Sequence, residues 1–437
     1  MSYRVPSTRM VGPLVFVFFV LAVLCVGQNR PVISRAPLSG TAEAKASLPA
    51  SVSPGNWSQL AKLVPPGCCT GLQNEVALSG DTAVLSLVPF ESTKVAQVFE
   101  KTAAGWRSNS PVGTLNGPVP DEPVFAPVGI DGDTIVVAGY TASSQHPGYA
   151  FVYVKPAGGW GNMSSPTAIL TSSDHSPDFG NSVSISGNTI VVGEDGYQSG
   201  TPGAAYVFVK PAGGWKSMTE TAKLTSSDGT NTDLLGWSVS VSGQTIVAGA
   251  PQFGNIVNPG PGKAYVFVEP SGGWKSMTQT AEITGSDSAQ GDAFGFSVSI
   301  DGDVVLTAAY VHNKFVGEGY IFQKPASGWT NMTQTAVLTT ADASISEFGY
   351  AVAISGNLAV IGAPVRGGPP NTWEGGLYVF KEPAGGWQNA TSSVVLIGAD
   401  THFYDQLGYT VAISGQTVLG GAPYHPAPGN AYLFGLP

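Results

Sequence analysis

Apolar and polar positions alternate in short runs along most of this chain. In NSVSISG, residues 181–187, Val183 and Ile185 face one way and Ser182, Ser184 and Ser186 face the other. A period of two marks a half-buried strand. Gly187-Asn188 then signals a two-residue hairpin, and NTIVVG returns as the next strand. A Pro- and Gly-rich loop follows, then the strand AAYVFVK. The turn PAGG reverses the chain again, its proline presetting φ and its glycines supplying positive φ. SPTAIL, residues 165–170, reads as a further strand.

This pattern recurs. GAAYVFVKPAGGW ends at Trp215, and close variants end at Trp160, Trp274, Trp329 and Trp387. With Trp57 and Trp106 the tryptophans mark seven units, each long enough for four short strands. Self-similarity at this period predicts an all-β, seven-bladed β-propeller of four-stranded antiparallel blades. The chain stops at GNAYLFGLP, after the third strand of a unit. NWSQLAKLV (residues 56–64) matches the strand that this last unit lacks. The ring is therefore expected to close by pairing the N-terminal strand with the C-terminal blade, which removes exposed edges. The repeated tryptophan is expected to pack between neighbouring blades.

Composition narrows the classes. Charged residues are 11% against 43% hydrophobic, with 57 glycines, 33 prolines and a net charge of -10. Such a chain is not disordered, and its acidity argues against a nucleic-acid partner. Residues 1–27 read as a signal peptide or, uncleaved, a signal anchor: Arg4 and Arg9 precede an apolar run. Residues 28–55 form an Ala/Ser/Pro-rich spacer, and residues 56–437 the propeller. Secretion or display at the cell surface follows, with the membrane touched only through an uncleaved N-terminus. Cys68 and Cys69 are adjacent and cannot build a disulfide framework. Asn56, Asn162, Asn331 and Asn389 lie in N-x-S/T sequons, the last three at the place held elsewhere by Ser217 and Ser276.

Within each unit, Phe179-Gly180, Phe294-Gly295 and Phe348-Gly349 recur, with Leu235-Gly236 and Leu407-Gly408 as variants. Gly249-Ala250-Pro251, Gly362-Ala363-Pro364 and Gly421-Ala422-Pro423 follow at a fixed distance. In these residues the chain resembles the FG-GAP repeat of integrin α-chain propellers and of many bacterial surface proteins. The resemblance implies the propeller fold and leaves function open. Integrin-type repeats often hold Ca²⁺ in an Asp-rich loop between the first two strands of a blade. Here that position is a tight turn, as at Asp131-Gly132-Asp133 and Asp301-Gly302-Asp303, so no such calcium is expected.

One face of the ring carries the short SG and PAGGW turns. The other carries loops that differ between units, where binding usually resides. The candidate ligand-binding residues there are Tyr140, His146, Tyr197, Phe253, Tyr310, His312, Trp373, Tyr424 and His425. Paired acids in the interblade links, such as Asp228 and Asp233 or Asp287 and Asp292, are expected to cap turns. Asp400, His402, Asp405 and His425 form one His–carboxylate cluster of transition-metal type, but no HExxH-like spacing accompanies it. No metal or other cofactor is expected. The pattern points to a monomeric binding or adhesion module for a protein, matrix or glycan ligand. The alternatives are a hydrolase or lyase acting on polysaccharide, which needs a converging carboxylate pair, and an architectural envelope protein.

Overall fold

The computed structural model describes residues 57–66, 75–87, 93–118, 126–140, 147–255, 257–367, 373–392, 394–425 and 429–436. The N-terminal segment and spacer, Asn56, Cys68, Cys69 and His146 lie outside them. Among the described residues no helix is long and apolar enough to cross a membrane.

Seven antiparallel sheets form the blades of a β-propeller. Blades 1 to 6 span 76–116, 128–171, 179–225, 238–284, 297–340 and 351–396. Blade 7 takes three strands from 410–435 and its fourth, Ser58–Leu63, from the opposite end of the chain. That strand pairs with Asn430–Gly435, from Ser58 opposite Gly435 to Leu63 opposite Ala431. The innermost strand of each blade neighbours that of the next, and blade 7 returns to blade 1.

The core is a set of layers between blades. Trp215, for example, packs with Val136, Val152 and Leu170 of blade 2 and Ile190, Val192 and Phe208 of blade 3. Trp160, Trp274, Trp329 and Trp387 occupy the same place in other layers and are equally buried. Each such side chain contributes about 1.5–3 kcal/mol by leaving water.

A second tie runs around the axis. Every inner hairpin has Gly at its first central position with φ between 52° and 57°. The N–H of that glycine donates to the side chain one position earlier in the preceding blade. Gly132 donates to Ser79, Gly187 to Asp131, Gly243 to Ser186, Gly302 to Ser242, Gly356 to Asp301 and Gly415 to Ser355. Gly80 donates to Ser414 and closes the circle, at distances of 2.5–3.2 Å. The Ser and Asp before each turn therefore clasp blade to blade, including the two Asp-Gly-Asp turns.

Two features differ from the sequence expectation. Blades 2 to 5 are five-stranded, because a short parallel strand from the next unit covers each outer edge, as Met218–Thr219 does beside Leu170–Thr171. The post-tryptophan segment thus locks two blades together. The sequon residues share in this: Asn162, Asn331 and Asn389 accept backbone N–H bonds across the seam, as Ser217 and Ser276 do. Trp57 is also not the equivalent of the other tryptophans. Lys62 lies opposite Tyr432 as Lys223 lies opposite Tyr206, which places Trp57 at the Met218 position. From there it packs into the layer between blades 6 and 7.

The FG and GAP dipeptides have a common physical cause. The FG glycine bonds the GAP glycine of its own blade, as Gly349 N–H does to the Gly362 carbonyl at 3.0 Å. The carbonyl of the next blade's FG glycine presses on that same GAP glycine. A Cβ on Gly249 would lie 1.9 Å from the Gly295 oxygen.

Candidate functional site

On the face with variable loops, a link recurs from blade 3 to blade 7. The third strand of each blade carries a buried tyrosine whose hydroxyl donates to the first acid of the preceding interblade link. Tyr206 reaches Asp174, Tyr265 Asp228, Tyr378 Asp342 and Tyr432 Asp400, all at 2.8 Å, and Tyr320 reaches Asp287 at 3.1 Å. The second acid of the pair caps a turn, as Asp292 does for the Ala289 N–H and Asp405 for the His402 N–H, both at 2.7 Å. The acids expected as turn caps thus divide into two roles.

A cation usually joins the tyrosine. Lys223 lies 2.6 Å from Asp174, Lys263 2.5 Å from Asp228, Arg366 2.9 Å from Asp342 and Lys62 2.6 Å from Asp400. Burial opposes ionisation of these four carboxyls, but the hydrogen bonds and the adjacent cations win and hold them below the usual carboxylate range. Blade 5 is the exception, since among the described residues no lysine or arginine pairs with Asp287.

His312 and His425 stand at the same place in blades 5 and 7, three residues beyond the second strand. Nδ1 of His312 lies 2.8 Å from Asp292, and Nδ1 of His425 lies 2.6 Å from Asp405. Of the cluster Asp400, His402, Asp405 and His425, the structure joins His425 to Asp405. It places the Lys62 ammonium between His425 and Asp400. His402 is exposed, and its backbone N–H bonds Asp405. Tyr140 is 1% exposed, which leaves it no open face, whereas Tyr197 is exposed in its loop.

The other four expected aromatics converge with residues the sequence reading passed over. The FG or LG dipeptide is the centre of a tight turn whose first carbonyl accepts from the residue after the glycine. Trp237 N–H donates to Leu234, Phe296 to Ala293, Tyr350 to Glu347 and Tyr409 to Gln406, at 3.1–3.2 Å. The glycine has φ of 84–99°, the value a type II turn needs at its third residue. Leu234, Ala293, Glu347 and Gln406 also adopt positive φ, near 60°. A non-glycine residue there costs about 1–2 kcal/mol, so four blades hold the same strained entry to this turn.

The turn delivers its last side chain to the variable-face end of the innermost strand, beside the axis. The rings then meet from blade to blade. Trp237 and Phe296 have centroids 5.5 Å apart, Phe296 and Tyr350 5.1 Å, Tyr350 and Tyr409 4.8 Å. The loops add Phe253 at 4.7 Å from Trp237, Tyr310 at 4.5 Å from Phe296 and Tyr424 at 6.2 Å from Tyr409. Trp373 stacks on Tyr404 at 5.1 Å, and Tyr404 meets Tyr424 at 5.3 Å. The result is a continuous aromatic arc over blades 4 to 7. Most of its rings are half-buried, and Phe403 and Tyr404 are exposed at its end. Burial raises the hydroxyl pKa of Tyr310, Tyr350 and Tyr424, so the phenols stay neutral. The arc offers π-faces and hydroxyl dipoles without charge. Its sequence signal was the residue after each FG or LG pair: Trp237, Phe296, Tyr350 and Tyr409, with Asn181 in blade 3.

The loop after the second strand of blade 5 is strained as well. Asn313, Lys314 and Phe315 are consecutive left-handed residues, with φ of 49°, 61° and 71°. They form a left-handed turn rather than a helix. Backbone and hydroxyl bonds from Glu347 and Ser346 to the Phe315 carbonyl hold it.

No curated protein matches the chain. The FG-GAP repeat family matches at residues 165–208, 218–267, 277–322 and 332–380, which run through the third to sixth blades. The FG and GAP glycines interlock in the same way from blade to blade, and the matched stretches are FG-GAP repeats.

Proposed function

We propose that the protein is a secreted or surface-tethered binding module, without catalytic activity, that takes a protein, matrix or glycan ligand on the aromatic arc. The arc itself carries this reading. Nine rings from four blades meet at one end of the axis, and Trp and Tyr of this kind dominate binding energy where they can be covered. A contiguous, half-exposed aromatic patch of this size is characteristic of an interaction surface. Four of the five linked acids favour binding over hydrolysis, Asp287 being the exception. Asp174, Asp228, Asp342 and Asp400 are each engaged by a tyrosine and a cation, rather than paired with one another at split pKa values. FG-GAP repeats are typical of extracellular proteins, which agrees with the export signal read in residues 1–27.

The test is a binding screen of the full chain against glycan and matrix-protein arrays, followed by Trp373→Ala and Tyr409→Ala. Loss of a π-surface at a binding centre costs about 2 kcal/mol or more, a weakening of roughly thirtyfold. Lys216→Ala, on the opposite face, should change nothing. Equal affinity of all three variants would remove the arc from the binding surface.

A further inference from the structure

The repeats serve as controls for one another, and blade 5 breaks their rule. In blades 3, 4, 6 and 7 the tyrosine–aspartate link is joined by an internal lysine or arginine, which in blades 3 and 4 also faces a second carboxylate, Glu194 or Glu282. The cation comes from one of three places: the fourth-strand residue opposite the tyrosine (Lys223, Lys62), the first residue of the third strand (Lys263), or the loop after the second strand (Arg366). In blade 5 the residue opposite Tyr320 is Val337, and the third strand opens with Glu318, a carboxylate where blade 4 has its ammonium. The loop position, held by Arg366 in blade 6, is His312.

These substitutions bring Asp287, His312 and Glu318 together, with one ligand-type atom from each within 4.8 Å of the others. The Oε2 atom of Glu318 is buried and has no hydrogen-bond partner. His312 gives Nδ1 to Asp292 at 2.8 Å, which fixes its ring and leaves Nε2 as its free nitrogen. A carboxylate behind the imidazole is the usual support of a metal-binding histidine.

Blade 7 shows what this frame holds. There the equivalents of His312 and Asp287 are His425 and Asp400. The Lys62 ammonium lies between them, 3.1 Å from His425 Nε2 and 2.6 Å from Asp400 Oδ2. Blade 5 keeps both groups, lacks the lysine and adds a third donor, the Glu318 carboxylate. We propose that blade 5 binds a divalent transition-metal ion of the Zn²⁺ class through Asp287, Glu318 and Nε2 of His312. Asp292 is the positioning residue. One imidazole and two carboxylates form a mixed N/O set suited to Zn²⁺, and three protein ligands leave a fourth position open. Bonds of about 2.0–2.2 Å require the three side chains to close in on the ion from separations of up to 4.8 Å. The site is separate from the turns between first and second strands, and it lies at the base of the strained loop that carries Tyr310 and Phe315 into the arc.

The full-length protein, stripped with EDTA and desalted, is titrated calorimetrically with ZnCl₂, and Co²⁺ binding is followed by its visible absorption. One ion per chain is expected. Glu318→Gln, which keeps the side chain's shape, should raise Kd at least about tenfold. Val337→Lys supplies the ammonium that blade 7 already has and should abolish uptake with the fold intact by circular dichroism. His425→Ala in blade 7 should leave uptake unchanged. Three results would each overturn the proposal: no saturable Zn²⁺ uptake by the folded wild type, uptake unaltered in both blade-5 variants, or uptake of Ca²⁺ with none of Zn²⁺.

Discussion

At the residue scale, the glycines of the motif do steric work that a composition count hides. Gly295 has φ of 84°, and a Cβ there would lie 2.2 Å from the Lys263 carbonyl oxygen of the preceding blade. Neither backbone can withdraw without opening the seam between blades 4 and 5. Gly295→Ala combines left-handed strain of about 1–2 kcal/mol with overpacking of about 1–3 kcal/mol. Urea unfolding should show a loss of at least about 2 kcal/mol, and an unchanged midpoint would refute the close approach. Alanine at Gly213, in the outer PAGG turn, meets nothing within 4 Å and has ordinary φ. Gly213→Ala should be near neutral in the same assay. The contrast separates motif glycines that fit a seam from those that only ease a turn.

At the scale of elements, the tyrosine–acid–cation link ties each third strand to the link before its blade, and it makes stability depend on acid. The Asp342 carboxyl is 15% exposed, and bonds from Ser344 and Tyr378 with the Arg366 charge lower its pKa despite burial. A carboxyl whose folded pKa is depressed adds stability at all pH above its unfolded value of about 3.9, and loses it as pH falls through the lowered folded value. Asp342→Asn should therefore cost about 3 kcal/mol at pH 7, because it leaves Arg366 buried without its partner. The gap to wild type should close below about pH 4. A gap independent of pH would mean that packing, not charge, holds the link. The strands were legible in the sequence because their period of two survives in every unit, and the closure was legible because NWSQLAKLV matches a missing strand. The link was only half legible. The recurring acids stand out, but the tyrosines that meet them are about 32–37 residues away, and the cation comes from a different element in different blades. The arc escaped for a similar reason. Trp237, Phe296, Tyr350 and Tyr409 differ in identity and share only their place after a type II turn, whereas the loop aromatics announce themselves by breaking the repeat.

At the scale of the molecule, the ring has one seam unlike the rest, because only in blade 7 do the two ends of the described chain meet. Three independent ties cross it. Ser58–Leu63 completes the sheet, Lys62 supplies the cation for Asp400 and Tyr432, and the Gln59 side chain accepts the Ala399 N–H at 2.8 Å. Trp57 fills the layer between blades 6 and 7 from the same segment. A chain beginning at residue 75 would lose all of these at once and expose the edge of Asn430–Gly435. An open, mostly apolar edge of six residues is a template for pairing with another copy. The truncated protein should therefore melt well below the full chain and self-associate, as sedimentation velocity would show. A synthetic peptide of residues 56–66 should restore the monomer, since it carries the strand, the lysine and the tryptophan together. The same peptide with Lys62→Met keeps the strand register and removes only the charge, so partial rescue would measure how much of the closure is electrostatic. A truncated chain that stayed monomeric with an unchanged melting temperature would show that the clasp of Gly80 to Ser414 and the layer between blades 7 and 1 close the ring without the strand.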